Sequence, residues 1–167
     1  MTDLICIGID PGASCGIAAV SRDWVAWTTV TLPSWRGYIA PPAALADHWK
    51  AAFPASEEVA RLLKQDLTGV RMPVAIEDSR HARGMKHAAM TGWHMALFAG
   101  MFDWPKHVPF VTVAPSTWQH GLVGAQGRDE YVRFARELTG GELSEKEHDA
   151  AAAICIAEWL WQREMAK

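Results

Sequence analysis

Cysteine is scarce in this chain: three residues, Cys6, Cys15 and Cys155, among 167. The count is odd and no CxxC spacing occurs, which argues against a disulfide framework and a zinc site and leaves buried or idle thiols. No apolar run approaches the ~18 residues needed to cross a bilayer. The opening "MTDLICIGID" lacks the basic start and long apolar stretch of a secretion signal. The expectation is a cytoplasmic protein with no membrane partner. Positive charge is not in excess either: 16 Lys and Arg stand against 19 Asp and Glu, a net charge of −3. A domain basic throughout is excluded, but a local basic face is not, because acids gathered to hold metals lower the total. Repeats, low-complexity tracts and dividing linkers are also absent, so residues 1–167 are expected to form one domain.

What is present is an ordinary globular composition, 50% hydrophobic and 21% charged, with an unusual nine tryptophans. Many of these rings should be half-buried or serve as stacking surfaces. Residues 4–9 form an apolar run that ends at Asp10 and a Pro-Gly turn, the pattern of a fully buried strand. Residues 16–21 and "DWVAWTTVTL" (23–32) continue as two more strands, giving an antiparallel meander. A Pro-rich loop (33–43), a short helix (43–53) and the helix "SEEVARLLKQDL" follow, the latter with acids in its first turn. "MPVAIED" (72–78) is the fourth strand, 82–102 a long Ala- and Met-rich helix, and "VPFVTV" (108–113) the fifth strand. Short helices are predicted at 115–121 and 128–138. A capping box of Ser144 and Glu147 is predicted to open the last helix, which runs to about residue 163. The expected architecture is α/β: a mixed five-stranded sheet flanked by helices.

Two of these strands end in acids, Asp10 and Glu77, and Asp149 comes early in the last helix, before four consecutive alanines. Alanines let a helix backbone approach a sheet closely, which would carry Asp149 toward the carboxyl ends of the first and fourth strands. Three carboxylates meeting without counter-charge would cost several kcal/mol. A hard divalent cation removes that cost, and all-oxygen ligation selects Mg²⁺ or Mn²⁺ over zinc. Two such ions about 4 Å apart serve phosphodiester hydrolysis. Each acid also has a plainer reading, as turn-former, loop solvator or partner of the helix dipole. Their order and spacing, together with the alanine run, favour the metal site.

The segments "IGIDPGASCGIAAV", "VAIEDSRHARGMKHAAMTGWHMALFAG", "VTVAPSTWQHGLVG" and "HDAAAAICIAEW" resemble, in that order, the blocks of RuvC-type Holliday junction resolvases. The likeness is nearest to the compact RuvC-like proteins of phages and prophages, and residues 33–70 match least. It implies an RNase H-like fold and a homodimer that cuts branched DNA, the four-way junction, leaving 5′-phosphate and 3′-hydroxyl ends. Mg²⁺ is the implied cofactor, with Mn²⁺ as substitute and two ions per active site. By this resemblance Asp10, Glu77 and Asp149 are the catalytic and metal-binding acids. The family pattern carries a further acid or histidine one turn before the last aspartate, where this chain has Lys146, which cannot ligate a metal. Glu145, expected on the same helix face as Asp149, is favoured as the replacement ligand over His148, which points about 100° away.

Arg80, Arg83 and Lys86, with His81 and His87, follow Glu77 closely and are the candidate DNA-phosphate contacts; a solvated loop is the alternative. Trp35 and Tyr38 are candidate stacking surfaces for unpaired bases. The apolar face of residues 85–101 is either a dimer interface or a core helix. Trp118 is expected in the core and Arg128 on the surface. Competing classes are a nuclease acting on other branched DNA or RNA-containing substrates, and a non-catalytic branched-DNA-binding relative. A sugar-kinase or actin-like ATPase shares the strand-Asp-Gly turn but needs two such domains to enclose a nucleotide.

Overall fold

The computed structural model describes residues 4–12, 14–31, 70–78, 110–124 and 127–167. Five strands lie among them: β1 (Cys6–Asp10), β2 (Ser14–Val20), β3 (Val25–Thr31), β4 (Val74–Glu77) and β5 (Phe110–Val113). Three helices follow: α1 (Pro115–Val123), α2 (Arg128–Leu138) and α3 (His148–Met165). The strands form one sheet in the order β3-β2-β1-β4-β5. β1, β2 and β3 pair antiparallel, as the expected meander requires, while β4 and β5 run parallel to β1.

Each element has a local cause. β1 and β4 are apolar on both faces and buried along their lengths, as central parallel strands are. The β2–β3 turn is closed by Ser21, whose Oγ accepts from the backbone N–H groups of Asp23 and Trp24 at 3.3 and 3.2 Å. Pro115 opens α1, where a missing N–H costs nothing, and Gly124 ends it with φ +72°.

α3 is the element that organises the rest. Its residues Ala150, Ala151, Ala152 and Ala153 are all buried, and where Ala150, Ala153 and Ala157 meet the sheet the strands answer with glycines. A Cβ built at Gly8 would sit 2.1 Å from the Ala153 carbonyl oxygen, and one at Gly16 would sit 1.9 Å from that of Asp149. Helix and sheet therefore touch backbone to backbone. Trp118, Val132, Ala135 and Leu143 extend this core under α1 and α2. At the far end of α3 the buried Glu164 carboxylate takes an ion pair from Arg71, just before β4, and another from Lys167 at 2.6 Å.

The capping box is half right. Glu147 does accept from the Ser144 backbone N–H at 2.8 Å. It closes a turn, however, and α3 begins only at His148, with Glu147 at its N-cap. The expected helices at 43–53, 56–67 and 82–102 lie outside the described residues. No helix among the described residues is long and apolar enough to cross a membrane.

Candidate active site

Sheet register brings two of the three acids together. Ile9 of β1 pairs with Ile76 of β4 in parallel, so Asp10 and Glu77 come next on two adjacent strands at the same edge. Asp10 itself pairs with Gly16 of β2. Directly over Gly16 lies the backbone of Asp149, in the first turn of α3. All three acids therefore belong to one end of the sheet, delivered by β1, β4 and α3.

Two unrelated side chains register the charge gathered there. The Cys15 thiol is raised above its ordinary range, first by burial and then by the charges of Asp10 and Asp149, while a hydrogen bond to the Gly12 backbone opposes them. The Tyr131 phenol is raised mainly by burial; a hydrogen bond from Arg128 opposes this, and Asp10 and Glu77 add to it. Asp10 acts on both reporters. Burial keeps the Cys15 sulfur in its neutral form, which makes it a poor ligand for a metal.

Glu77 is only 8% exposed. Its Oε2 accepts from the indole Nε1–H of Trp118 at 2.9 Å. Trp118 is itself 1% exposed, and its ring meets Tyr131 edge-on, with centroids 5.6 Å apart and planes at 66°. The carboxylate is thus oriented by a neutral donor, which leaves its charge uncompensated by that contact.

The donor set of Asp10, Glu77 and Asp149 is all carboxylate oxygen, and it fits Mg²⁺ or Mn²⁺ rather than zinc. Among the described residues no three His, Cys, Asp or Glu side chains are gathered, as they stand, into a group that could hold a metal ion. Like-charged carboxylates repel one another when no cation stands between them.

The expectation for Glu145 needs correction. It was placed on the face of the last helix beside Asp149, but α3 starts at His148 and Glu145 precedes it. Its side chain is 76% exposed and pairs with Arg136 at 2.5 Å. His148 lines the same surface groove as Arg133, Arg136 and Glu145. Glu145 therefore does not share a helix face with Asp149. Arg80, Arg83 and Lys86 lie outside the described residues, as do His81, His87, Trp35, Tyr38 and the apolar face of 85–101.

Sequence reasoning missed the contact between Trp118 and Glu77. Trp118 was expected in the core and is there, but its polar edge is also engaged. The available signal was its position four residues after the Ala114 that follows β5, next to the strand bearing Glu77. Tyr131, behind it on α2, was missed as well.

The class of fold follows from this arrangement. A five-stranded mixed sheet, an antiparallel meander leading into parallel strands, and a final helix laid across β1 and β2 form an RNase H-like fold of the RuvC kind. Particular solved structures share it along almost the whole chain. Thermus thermophilus RuvC in complex with Holliday junction substrate has a TM-score of 0.70 at 18% identity, covering 97% of this chain and 96% of that one. A second Thermus thermophilus RuvC structure gives 0.65 at 19% identity over 97% and 96%. The yeast mitochondrial Holliday junction resolvase Ydc2 gives 0.52 at 16% identity, covering 96% of this chain and 78% of that one. At these identities the likeness is one of fold. No protein-family model and no curated relative matches the sequence.

Proposed function

We propose that this chain is a metal-dependent, structure-selective endodeoxyribonuclease that resolves four-way DNA junctions by paired phosphodiester hydrolysis, leaving 5′-phosphate and 3′-hydroxyl ends. The observation that carries this reading is the convergence at one end of the sheet of β1, β4 and the first turn of α3, which carry Asp10, Glu77 and Asp149. The likeness to a RuvC in complex with Holliday junction substrate supports the choice of DNA. Residues 1–167 act as one nuclease domain in the cytoplasm, and two copies form the homodimer that two matched nicks require.

Asp10, Glu77 and Asp149 would hold the metal, two Mg²⁺ or Mn²⁺ ions per site in this reading. When bound, such ions supply an activated water and neutralise charge on the leaving oxygen. The protein's own part is to fix the three carboxylates on rigid backbone. Asp10 and Glu77 sit on paired strands, and Asp149 is set by the backbone contact at Gly16. Glu77 is nearly shut off from solvent, and in such a low-dielectric setting the attraction between a carboxylate and a cation is strong. Arg80, Arg83 and Lys86 contact phosphates on either side of the scissile bond.

The test is a cleavage panel of four-way junction, flap, linear duplex and RNA–DNA hybrid, each with Mg²⁺ or Mn²⁺. Symmetrical nicks in the junction, abolished by Asp10→Asn, are the expected result. Equal cutting of linear duplex refutes junction selectivity, preferred cutting of the hybrid moves the substrate to RNA, and a monomer in sedimentation at assay concentration refutes the dimer.

A further inference from the structure

Trp118 has no part in the scheme above, yet it makes a buried hydrogen bond to Glu77. The chain explains how it gets there. Glu77 pairs with Val113 across β4 and β5, and α1 begins at Pro115, two residues beyond Val113. The backbone N–H groups of Thr117 and Trp118 both return to the Ala114 carbonyl, at 2.9 and 3.4 Å, which winds the first turn tightly. Side chains on a helix lean toward its N-terminus, so that of Trp118 leans back over the strand end carrying Glu77.

The chemistry of the donor matters as much as its position. An indole N–H donates only, and it can neither ligate a metal nor rotate to present an acceptor. It fixes one carboxylate oxygen without adding positive charge, whereas Lys or Arg in its place would compete with a cation for Glu77. Tyr131, edge-on against the ring, limits how far the indole can swing. At 1% exposure the indole has no solvent to turn to, so the hydrogen bond is strongly preferred to leaving a buried donor unsatisfied.

We propose that Trp118 is a positioning residue that sets the orientation of the Glu77 carboxylate for metal binding. The proposal rests on the reading of Glu77 as a metal ligand. Groups that orient a ligand in this way typically govern metal affinity by one to two orders of magnitude.

Three variants of the full chain separate the possibilities, with Mn²⁺ as the probe and calorimetric titration as the readout. Trp118→Phe keeps most of the ring and loses the N–H. A site-specific 3-benzothienylalanine at position 118 keeps the fused-ring shape and replaces N–H with sulfur, so it remains decisive where the Phe variant fails to fold. Glu77→Gln removes the charged ligand. Both position-118 changes are expected to weaken Mn²⁺ binding about tenfold. They should raise the Mn²⁺ needed for half-maximal junction cleavage by the same factor, with cleavage recovered at excess metal. Mn²⁺ affinity within threefold of the unmodified chain for the benzothienyl variant overturns the proposal. If Glu77→Gln abolishes binding while position 118 has no effect, Glu77 remains a ligand and Trp118 loses its role. If Glu77→Gln binds Mn²⁺ normally, the reading of Glu77 fails first.

Discussion

One added methyl group at Gly16 tests how the third acid is held. A Cβ there would lie 1.9 Å from the Asp149 carbonyl oxygen, 2.3 Å from its carbonyl carbon and 2.9 Å from the Ala150 nitrogen. All three are backbone atoms of α3, so no rotamer change relieves the clash. Reaching ordinary contact moves the first turn of the helix off β2 by well over an ångström. Overpacking of this kind costs ~1–3 kcal/mol, and the absence of a flexible neighbour puts Gly16→Ala at the upper end. For a domain of this size ~3 kcal/mol corresponds to a fall in melting temperature of roughly 6–12 °C. Activity should fall further than stability, because the same turn carries Asp149 and a misplacement of ~1 Å costs on the order of 10²-fold in rate. Gly8→Ala is the matched control. Its Cβ would meet the Ala153 oxygen at 2.1 Å and the Ala157 nitrogen at 2.4 Å, further along α3 and away from the acids. Calorimetry and junction cleavage at 25 °C, read together, are expected to show similar melting losses and a larger activity loss for Gly16→Ala. A Gly16→Ala protein that melts like the parent and cuts at the parent rate refutes the seating of α3 on β2.

Asp10→Asn, Glu77→Gln and Asp149→Asn are each expected to lower Mg²⁺-dependent junction cleavage by about 10³-fold or more, since each removes several kcal/mol of charge stabilisation; retained circular dichroism spectra would separate this from unfolding. Arg71→Ala removes one ion pair from the buried Glu164, keeps the one with Lys167, and should cost about 2 kcal/mol in urea denaturation, while Arg136→Ala, which breaks the exposed pair with Glu145, should cost under ~1 kcal/mol. The Cys6 thiol is pushed from 9.0 up to about 12, chiefly by burial and then by the Glu164 charge. A raised thiol favours the folded state fully below the unfolded value and loses that contribution as pH climbs from about 9 toward 12. Urea midpoints should therefore fall across that window, and by less in Cys6→Ala; an equal fall in both refutes the assignment.

The strands were legible because their signals are local. Runs such as "CIGID" and "VAIE" are apolar up to a terminal acid, and such a run needs burial on both faces wherever it occurs. Boundaries moved by a residue or two: β4 starts at Val74 because Pro73, before it, has no N–H to give the ladder. Glu145 shows the limit of helical spacing. Counting back four residues from Asp149 presumes a helix that already exists there, and the turn closed by Ser144 and Glu147 delays it to His148. The contact of Trp118 with Glu77 was hidden for another reason, since the partners stand 41 positions apart and belong to different elements.

By itself the sequence determined which segments must be buried and where apolar runs stop at an acid. It also placed alanines and glycines where two backbones could meet. Only the tertiary structure decided that they do meet, with α3 resting on Gly8 and Gly16, and that a buried indole turns its N–H to Glu77. The reason is physical: composition and periodicity fix how each segment partitions from water, a property of neighbours in the chain. Directed contacts depend on register and on the distance between elements, and these exist only after the sheet has closed and the helix has settled on it.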